Sequence, residues 1–403
     1  MTMTHNSSLI LRIMPDDSFP TKQIGDLFFS DVDAQVKVNQ SRILSYQCPE
    51  NVSGNKSDII PTSRGQRWLA ERWWKEQVPS PGLSLFSLHG AHVYGGVVSM
   101  RQGKTHEHGQ LLITKERQIF SQSYGIMDGS YTLPSDLVRF DNDQPYLARE
   151  DKSVYFSGSH IFLGSLHRHF GHVIVEGLSR IWGYFYLPET QRHQLKFLVY
   201  EPELQPFTSK FLGLLGIHPE QIVHCPTHAI VEHLIVPTPS MRTHWWIMPE
   251  QAETWERIAK GVELHSKPKR QRRIYLSRIN NKIRPLDNER QVIEIFKSAG
   301  FEIVIPEALS IEDQIGTVRN ADIVAGCVGS NMYLTAFRRA GGKTLVIAPR
   351  NFFLKDDVLI SSVQKSELSV VFGTEIDFTH TKTARSWHVD LDHVRESIIS
   401  IGC

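Results

Sequence analysis

Cysteine is scarce in this chain. Cys48, Cys225, Cys327 and Cys403 are far apart and form no CxxC pair. A disulfide scaffold and a structural zinc site are therefore poor fits. Long hydrophobic runs are missing too, with nothing near the ~18 apolar residues that span a bilayer. The opening MTMTHNSSLILRIMPDD has a short apolar stretch and no basic start, so no secretory signal is expected. Charge of one sign is also lacking. The 44 Lys and Arg against 43 Asp and Glu leave +1, which gives no broad electrostatic reason to hold a nucleic-acid backbone. There is no internal repeat and no low-complexity tract. What remains is ordinary globular composition, with 40% hydrophobic residues, 27 Gly and 20 Pro in 403 residues. Disorder, collagen and coiled coil are excluded on that basis, and the length suits two large domains. The expected setting is cytoplasmic, with peripheral contact at the inner face of the cytoplasmic membrane left open.

Along the chain, RGQRWLAERWWKEQ (64–77) has helical character. From Leu83 to Ser123 short β-like runs alternate with glycine turns, which predicts a small antiparallel β-meander at 83–123. From about 152 the pattern becomes strand–helix: KSVYFSG, LKFLVYE and HLIVPTP as strands, and GHVIVEGLSRIWGYFYLP as one helix stopped by Pro188. The proline- and tryptophan-rich PTPSMRTHWWIMPE breaks the pattern and places a domain junction around 240–268. Beyond it, RRIYLSR, FEIVIP, ADIVAGC and KTLVIAP read as strands. The helices NERQVIEIFKSAG, IEDQIGTVRN and GSNMYLTAFRRAGG lie between them. Such alternation implies an α/β fold with a parallel sheet and crossovers. The tail SWHVDLDHVRESIIS has helical spacing.

Three constellations carry chemistry. The first is HRHFGHVIVEGLSR. On a continuous helix with His169 at zero, His172, Glu176 and Arg180 fall at about −60°, −20° and +20°. Two imidazoles, a carboxylate and a guanidinium would then share one face of an otherwise apolar helix. A buried charged stripe is costly unless it is paired or lines a solvated cleft. An imidazole there can accept a hydroxyl proton near neutral pH. The plainer alternative is a salt-bridged face, and a third reading is a two-His-one-Glu metal site. The second constellation is RRIYLSRINNKIRPLDNE. Arg278 sits at the carboxyl end of a predicted strand, the edge where open α/β sheets bind ligands. Arg284, Asn288 and Glu289 follow. Guanidinium groups chelate phosphate and stay charged at any working pH. The third is GCVGSN (326–331) between a strand and a helix, where Gly326, Gly329, Ser330 and Asn331 can bring backbone close to a phosphate. It is not GxGxxG, and KTLVIAP ends in Ala348-Pro349-Arg350 with no carboxylate for a ribose, which argues against a dinucleotide dehydrogenase. Trp245-Trp246 with His244 and Arg242 suits either a cleft rim or ordinary packing.

These motifs together resemble glycosyltransferase family 61. HFGHVIVEGLSR is similar to its N-[FY]-x-H-x(3)-E-x-L-x-R segment, RRIYLSRINNKIRPLDNE to its R-x-x-Y-x-S-R…R…NE segment, and ADIVAGCVGSNMYLTAF to its strand–GxHGA–helix segment. LSIEDQIGTVRNADIVAG also resembles the stretch before the last motif. The likeness covers about 150–350. It departs at His169, where the family commonly has Asn, and at Val328-Gly329-Ser330, where it commonly has HGA.

The resemblance implies a GT-B-like pair of Rossmann-type domains, a nucleotide-sugar donor and inversion at the anomeric carbon. Without a signal or anchor, the chain is similar to the bacterial capsular-polysaccharide enzymes. On this reading residues 1–245 are an acceptor-side domain containing the meander. Residues 246–403 are a nucleotide-sugar-binding domain with a C-terminal helix. Arg278 and Arg284 would face the diphosphate, and the Gly326–Ser330 turn with its helix would cradle it, Asn331 included. Asn288 and Glu289 would lie beside the donor, Glu289 holding a ribose or sugar hydroxyl. His169, His172 or Glu176 would accept the acceptor's proton, and Arg180 would orient Glu176 or meet the diphosphate. His172 is favoured over Glu176, because a carboxylate beside Arg180 is a weak base. With arginines present, no metal or other cofactor is required. The transferred group would be a hexosyl or pentosyl unit, and the acceptor a glycan or a lipid-linked saccharide. Two other classes stay open: a sugar-nucleotide or glycan binding protein without turnover, and a metal-dependent hydrolase or oxygenase built on the His-His-Glu face.

Overall fold

Beyond residue 152 short apolar runs alternate with helical segments, and in the computed structural model they become two largely parallel sheets wrapped by helices. The structure describes residues 82–101, 104–120, 152–166, 168–265, 273–374, 376 and 386–402, with short stretches between 12 and 148. The segment 64–77, apart from Gln77, lies outside the described residues, as do His167 and the basic run 267–272.

Among the described residues the first sheet has nine strands. Val154–Gly164 is parallel to Lys196–Val199 on one side and to His228–Pro237 on the other. Ile222–His224 continues the parallel part beyond Lys196–Val199. The region 83–123 forms Leu83–Arg101, Lys104–Ile113 and Gln118–Ile119, each antiparallel to the one before. These strands do not stand apart from the parallel ones. Leu83–Arg101 pairs antiparallel with His228–Pro237, so they extend the same sheet.

The second sheet is parallel throughout. Its order is Glu302–Val304, Arg273–Leu276, Ile323–Cys327, Lys343–Pro349, Glu367–Gly373, Asn51–Ser53. The last of these comes from the N-terminal part of the chain, so residues 51–53 edge the second sheet. Helices cover both faces. Val292 and Phe296 of Glu289–Ser298 pack with Val394 and Ile398 of Leu391–Ser400 on one. Ile315 and Val318 of Ile311–Arg319 pack with Trp255 and Ile258 of Pro249–His265 on the other. Ser310 caps Ile311–Arg319 by accepting from the Asp313 N–H at 3.1 Å. Asp390 caps Leu391–Ser400 in the same way. Each cap is worth about 1 kcal/mol.

Two expectations about helices are corrected here, and the stretch 240–268, where a domain junction is expected, holds a helix of its own. Pro249–His265 is a 17-residue helix whose Trp255, Ile258, Ala259 and Val262 recur at helical spacing and are buried in the largest core cluster. The flanking prolines and charges hide that stripe in the sequence. The segment after Ile323–Cys327 is not a long helix but the six-residue 3₁₀ segment Met332–Phe337. The helix expected from Gly171 to Pro188 breaks into Phe170–Val175, a 3₁₀ turn Gly177–Arg180 and Trp182–Tyr186. The core cluster that includes Val173, Trp255, Tyr333 and Phe372 is continuous between the two sheets.

Candidate active site

In the second sheet the chain goes from Arg273–Leu276 outward to Glu302–Val304, then back to Ile323–Cys327 on the other side. The loops leaving Leu276 and Cys327 therefore diverge, which opens a crevice at the carboxyl ends of two adjacent strands. Arg278 and the Val328–Asn331 turn form its two lips.

A buried carboxylate sets Arg278. Glu289, 3% exposed, accepts from the Arg278 N–H at 2.7 Å, the Ser277 hydroxyl at 2.9 Å and the Tyr275 hydroxyl at 3.4 Å. Glu289 thus faces inward and fixes the chain, in place of lying open to a donor hydroxyl as the sequence suggested. Asn288 also turns inward. It donates to Val389 O at 2.8 Å and accepts from the Val389 N–H at 3.3 Å, which fastens the segment before the last helix.

The Arg278 guanidinium donates to Val328 O at 2.5 Å and to Ile283 O at 3.2 Å. It lies so close to the turn that a Cβ on Gly329, whose φ is +147°, would collide with its Nη1. Only glycine fits there. Arg284 lies 4.0 Å over the Phe352 ring, and its Nε is buried with no hydrogen-bond partner. Burial first, then the Arg278 charge, pulls the Arg284 pKa down to about 10. Among the described residues neither guanidinium has a carboxylate partner. Two neighbouring like charges at a sheet edge are costly alone and favourable with an anion between them.

Ser330 and Asn331 complete the turn. Asn331 donates to Leu276 O at 3.3 Å, while its own side-chain oxygen is buried and unpartnered. Gly326 sits within strand Ile323–Cys327, in register with Leu276, not on the turn. With only a short 3₁₀ segment following, a helix N-terminus does not add to the cradle, and the turn's backbone is what remains.

Across from this turn is helix Phe170–Val175. A Cβ on Gly171 would fall 2.9 Å from the Ser330 side chain and 3.0 Å from Tyr333, so the helix packs directly on the turn. The helix ends because Glu176 leaves helical geometry, at φ −124° and ψ −53°. Two carbonyls around the break find partners on other elements. Ile174 O accepts from Trp255 Nε1 at 2.9 Å and from Gln251 at 3.3 Å. Ser179 O accepts from the Ser240 N–H and hydroxyl at 2.7 and 2.8 Å. His172 Nδ1 lies 2.6 Å from Glu176 Oε2, with the ring 50% and the carboxylate 32% exposed. The hydrogen bond to Glu176 raises the His172 pKa against the opposing effect of burial. His169 precedes the helix, its ring centroid 6.0 Å from that of His172.

Arg180 is corrected, since the break takes it out of the expected stripe. It donates to Pro237 O and lies 5.3 Å over Phe162, at the carboxyl edge of the first sheet. Burial lowers its pKa to about 10. Among the described residues no group of three or more His, Cys, Asp and Glu side chains converges for a metal ion.

The sequence reading missed Asp356 and Tyr333. Asp356, fully buried at the start of helix Lys355–Val363, accepts from the Tyr333 hydroxyl at 2.9 Å and from the His244 N–H at 2.7 Å. His244 belongs to the turn between the short strands Met241–Arg242 and Trp246–Ile247. That turn is held by Arg242, stacked 5.1 Å over Trp245, and by Lys355, which donates to Trp245 O at 3.0 Å. The electrostatic fields of Asp356 and Glu176 reach both His172 and His244. The available signal was a Lys-Asp-Asp run inside apolar FFLKDDVLI, an unusual place for charge.

Residues 170–347 match the family model described as Glycosyltransferase 61. No curated protein sequence matches the chain. The matched stretch runs from the His172 helix through Arg278 and the Gly329 turn, and over it the chain is similar to the glycosyltransferase 61 family.

Proposed function

We propose that this glycosyltransferase takes a sugar from a nucleoside-diphosphate donor and adds it, with inversion, to a hydroxyl of a glycan or lipid-linked saccharide. The product would be a surface polysaccharide such as capsule. The observation that carries the reading is the pair of guanidiniums, Arg278 and Arg284, at the switch point of a parallel sheet, with no carboxylate partner among the described residues. A diphosphate supplies the missing charge and becomes more negative as it leaves, so the same two groups favour the transition state over the ground state. The turn at Val328–Asn331 offers backbone to the same anion.

The two sheets are read as a GT-B-like pair, the second holding the donor. From the facing wall an imidazole takes the proton of the acceptor hydroxyl. His169, His172 with Glu176, and His244 with Asp356 gather there. The hydroxyl oxygen attacks the anomeric carbon, and the bond to the diphosphate breaks in one displacement. The arginines meet the charge of the leaving group, so no metal or other cofactor is needed in this scheme. Among the described residues no helix is long and apolar enough to cross a membrane. A lipid-linked acceptor would be met at the cytoplasmic face.

A thermal-shift panel of nucleoside diphosphates and their sugars, with and without EDTA, tests the reading. A ligand present at a hundred times its Kd adds about 2.7 kcal/mol of stability. At least one nucleotide should raise Tm whether or not EDTA is present. A panel with no shift counts against the donor site. Binding with no release of diphosphate to any acceptor would favour a binding protein.

A further inference from the structure

The reading above leaves the base unassigned, and a second imidazole stands out on geometry. Trp245 N–H donates to Arg242 O at 2.9 Å, which closes a tight turn with His244 in its third position. There the backbone has φ +65°, a conformation that Gly or Asn adopts readily and histidine rarely does. A residue kept against local preference points to a requirement for its side chain. Beneath it, Asp356 holds both the His244 N–H, at 2.7 Å, and the ring nitrogen Nδ1, also 2.7 Å away. Nδ1 is sealed from solvent and lies off the hydrogen-bond line, as catalytic contacts often do before substrate arrives. Tyr333 braces the same carboxylate oxygen.

An imidazole whose Nδ1 is committed to a buried carboxylate presents Nε2 as its proton acceptor. The His244 ring is 30% exposed over a fully buried Asp356. His172, by contrast, pairs with a carboxylate that is itself partly exposed, so its orientation is less fixed.

We propose that His244 is the catalytic base, that Asp356 is its positioning residue, and that the His172–Glu176 pair contacts the acceptor instead. The assignment rests on the transferase reading above. In the step, the acceptor O–H proton passes to Nε2 while its oxygen bonds to the anomeric carbon. The carbon–oxygen bond to the diphosphate breaks, and the leaving group takes the electron pair. Nδ1–H stays with Asp356. The titratable and charged groups around His244 are Asp356, its partner Tyr333 and Lys355 from the second half, Glu176 and His172 from the first, and Arg242 on its own turn.

The test uses the full chain and a panel of uridine-, guanosine- and cytidine-diphosphate sugars, reading release of nucleoside diphosphate. His244→Asn keeps a side chain suited to the turn and a donor for Asp356, but has no base. It should fold with Tm within a few degrees of wild type and keep the thermal shift given by the diphosphate. Its kcat should fall by roughly 100-fold or more. His172→Gln should mainly raise KM for the acceptor. Asp356→Asn should move the acidic limb of kcat to lower pH, which a purely structural residue would not do. Long-range proton–nitrogen NMR should show neutral His244 as the Nδ1–H tautomer. Near-normal kcat in folded His244→Asn overturns the assignment but spares the donor site, as does a neutral Nε2–H tautomer. A wild-type chain that neither binds nor cleaves any donor overturns both.

Discussion

A guanidinium held against backbone carbonyls and not against a carboxylate is oriented but not neutralised. Among the described residues Arg278 is in that state: two carbonyls fix its plane and Glu289 fixes its backbone. Lysine in its place would keep the charge but lose the fork. Arg278→Lys should therefore weaken nucleoside-diphosphate binding about tenfold, or about 1.4 kcal/mol, measurable by isothermal titration, with little change in Tm. The imidazoles give a pH prediction. The bond to Glu176 raises the pKa of His172. At His244 burial lowers the pKa, but Asp356 outweighs it and the net shift is upward. A protonated imidazole cannot act as base, so kcat should rise with pH through a midpoint above 6.5. A flat profile from pH 5.5 to 8 would count against an imidazole base. Arg278, Arg284, His172, Glu176 and Gly329 entered the proposal from the sequence, on residue type and place along the chain. That Glu289 and Asn288 face inward was not legible, because adjacency along the chain does not tell which way a side chain faces. Asp356 was passed over because its partners, His244 and Tyr333, are brought to it only by folding; the charged run inside FFLKDDVLI was its one local sign.

At the scale of elements, the break after Val175 decides what the site looks like. Had the helix continued, Arg180 would stand beside Glu176 on the extrapolated face. Instead Trp255 and Gln251, from a helix some eighty residues away in sequence, take the Ile174 carbonyl. Periodicity gave the apolar face of 170–175 but not this interruption, since the partner that satisfies the released carbonyl lies in a segment dominated by prolines and charges. Trp255→Phe keeps most of the buried area and removes the N–H. It should cost about 1 kcal/mol in urea unfolding and lower kcat more than it lowers donor affinity. Trp255→Ala should cost about 3–5 kcal/mol. The second half was easier to read: Lys343–Pro349 is the strand its sequence suggests, and the capping box at Ser310 is where Ser and Asp stand three apart.

At the scale of the molecule, histidines in the first sheet set its acid sensitivity. Burial, then neighbouring Arg117 and His228, lowers the pKa of His92 to about 4. Burial, then His89 and His160, does the same for His233. His233 lies between the Ser87 and Ser159 hydroxyls at 2.8 and 2.9 Å. The unfolded chain binds protons at these rings near pH 6.5 and the folded chain does not, so their stability contribution is full above 6.5 and lost as pH falls toward 4. The urea midpoint should drop between pH 7 and pH 5, and drop less in His92→Gln. An unchanged midpoint would contradict a neutral buried pair. The α/β class and the order of elements in the second half were visible in the sequence through alternation. The merging of the antiparallel strands with the parallel sheet, and the pairing of residues 51–53 with Glu367–Gly373, were not, because pairing between distant strands leaves no local signal.

The central claim is that the crevice between Arg273–Leu276 and Ile323–Cys327 holds a nucleotide's diphosphate through Arg278 and Arg284. Isothermal titration of the tightest-binding nucleoside diphosphate into wild type and into Arg278→Ala/Arg284→Ala tests it directly, with circular dichroism to verify the fold. One site in the wild type and at least a hundredfold weaker binding in the folded double variant, about 2.7 kcal/mol, is the predicted result. Equal affinity in the two proteins would contradict the account.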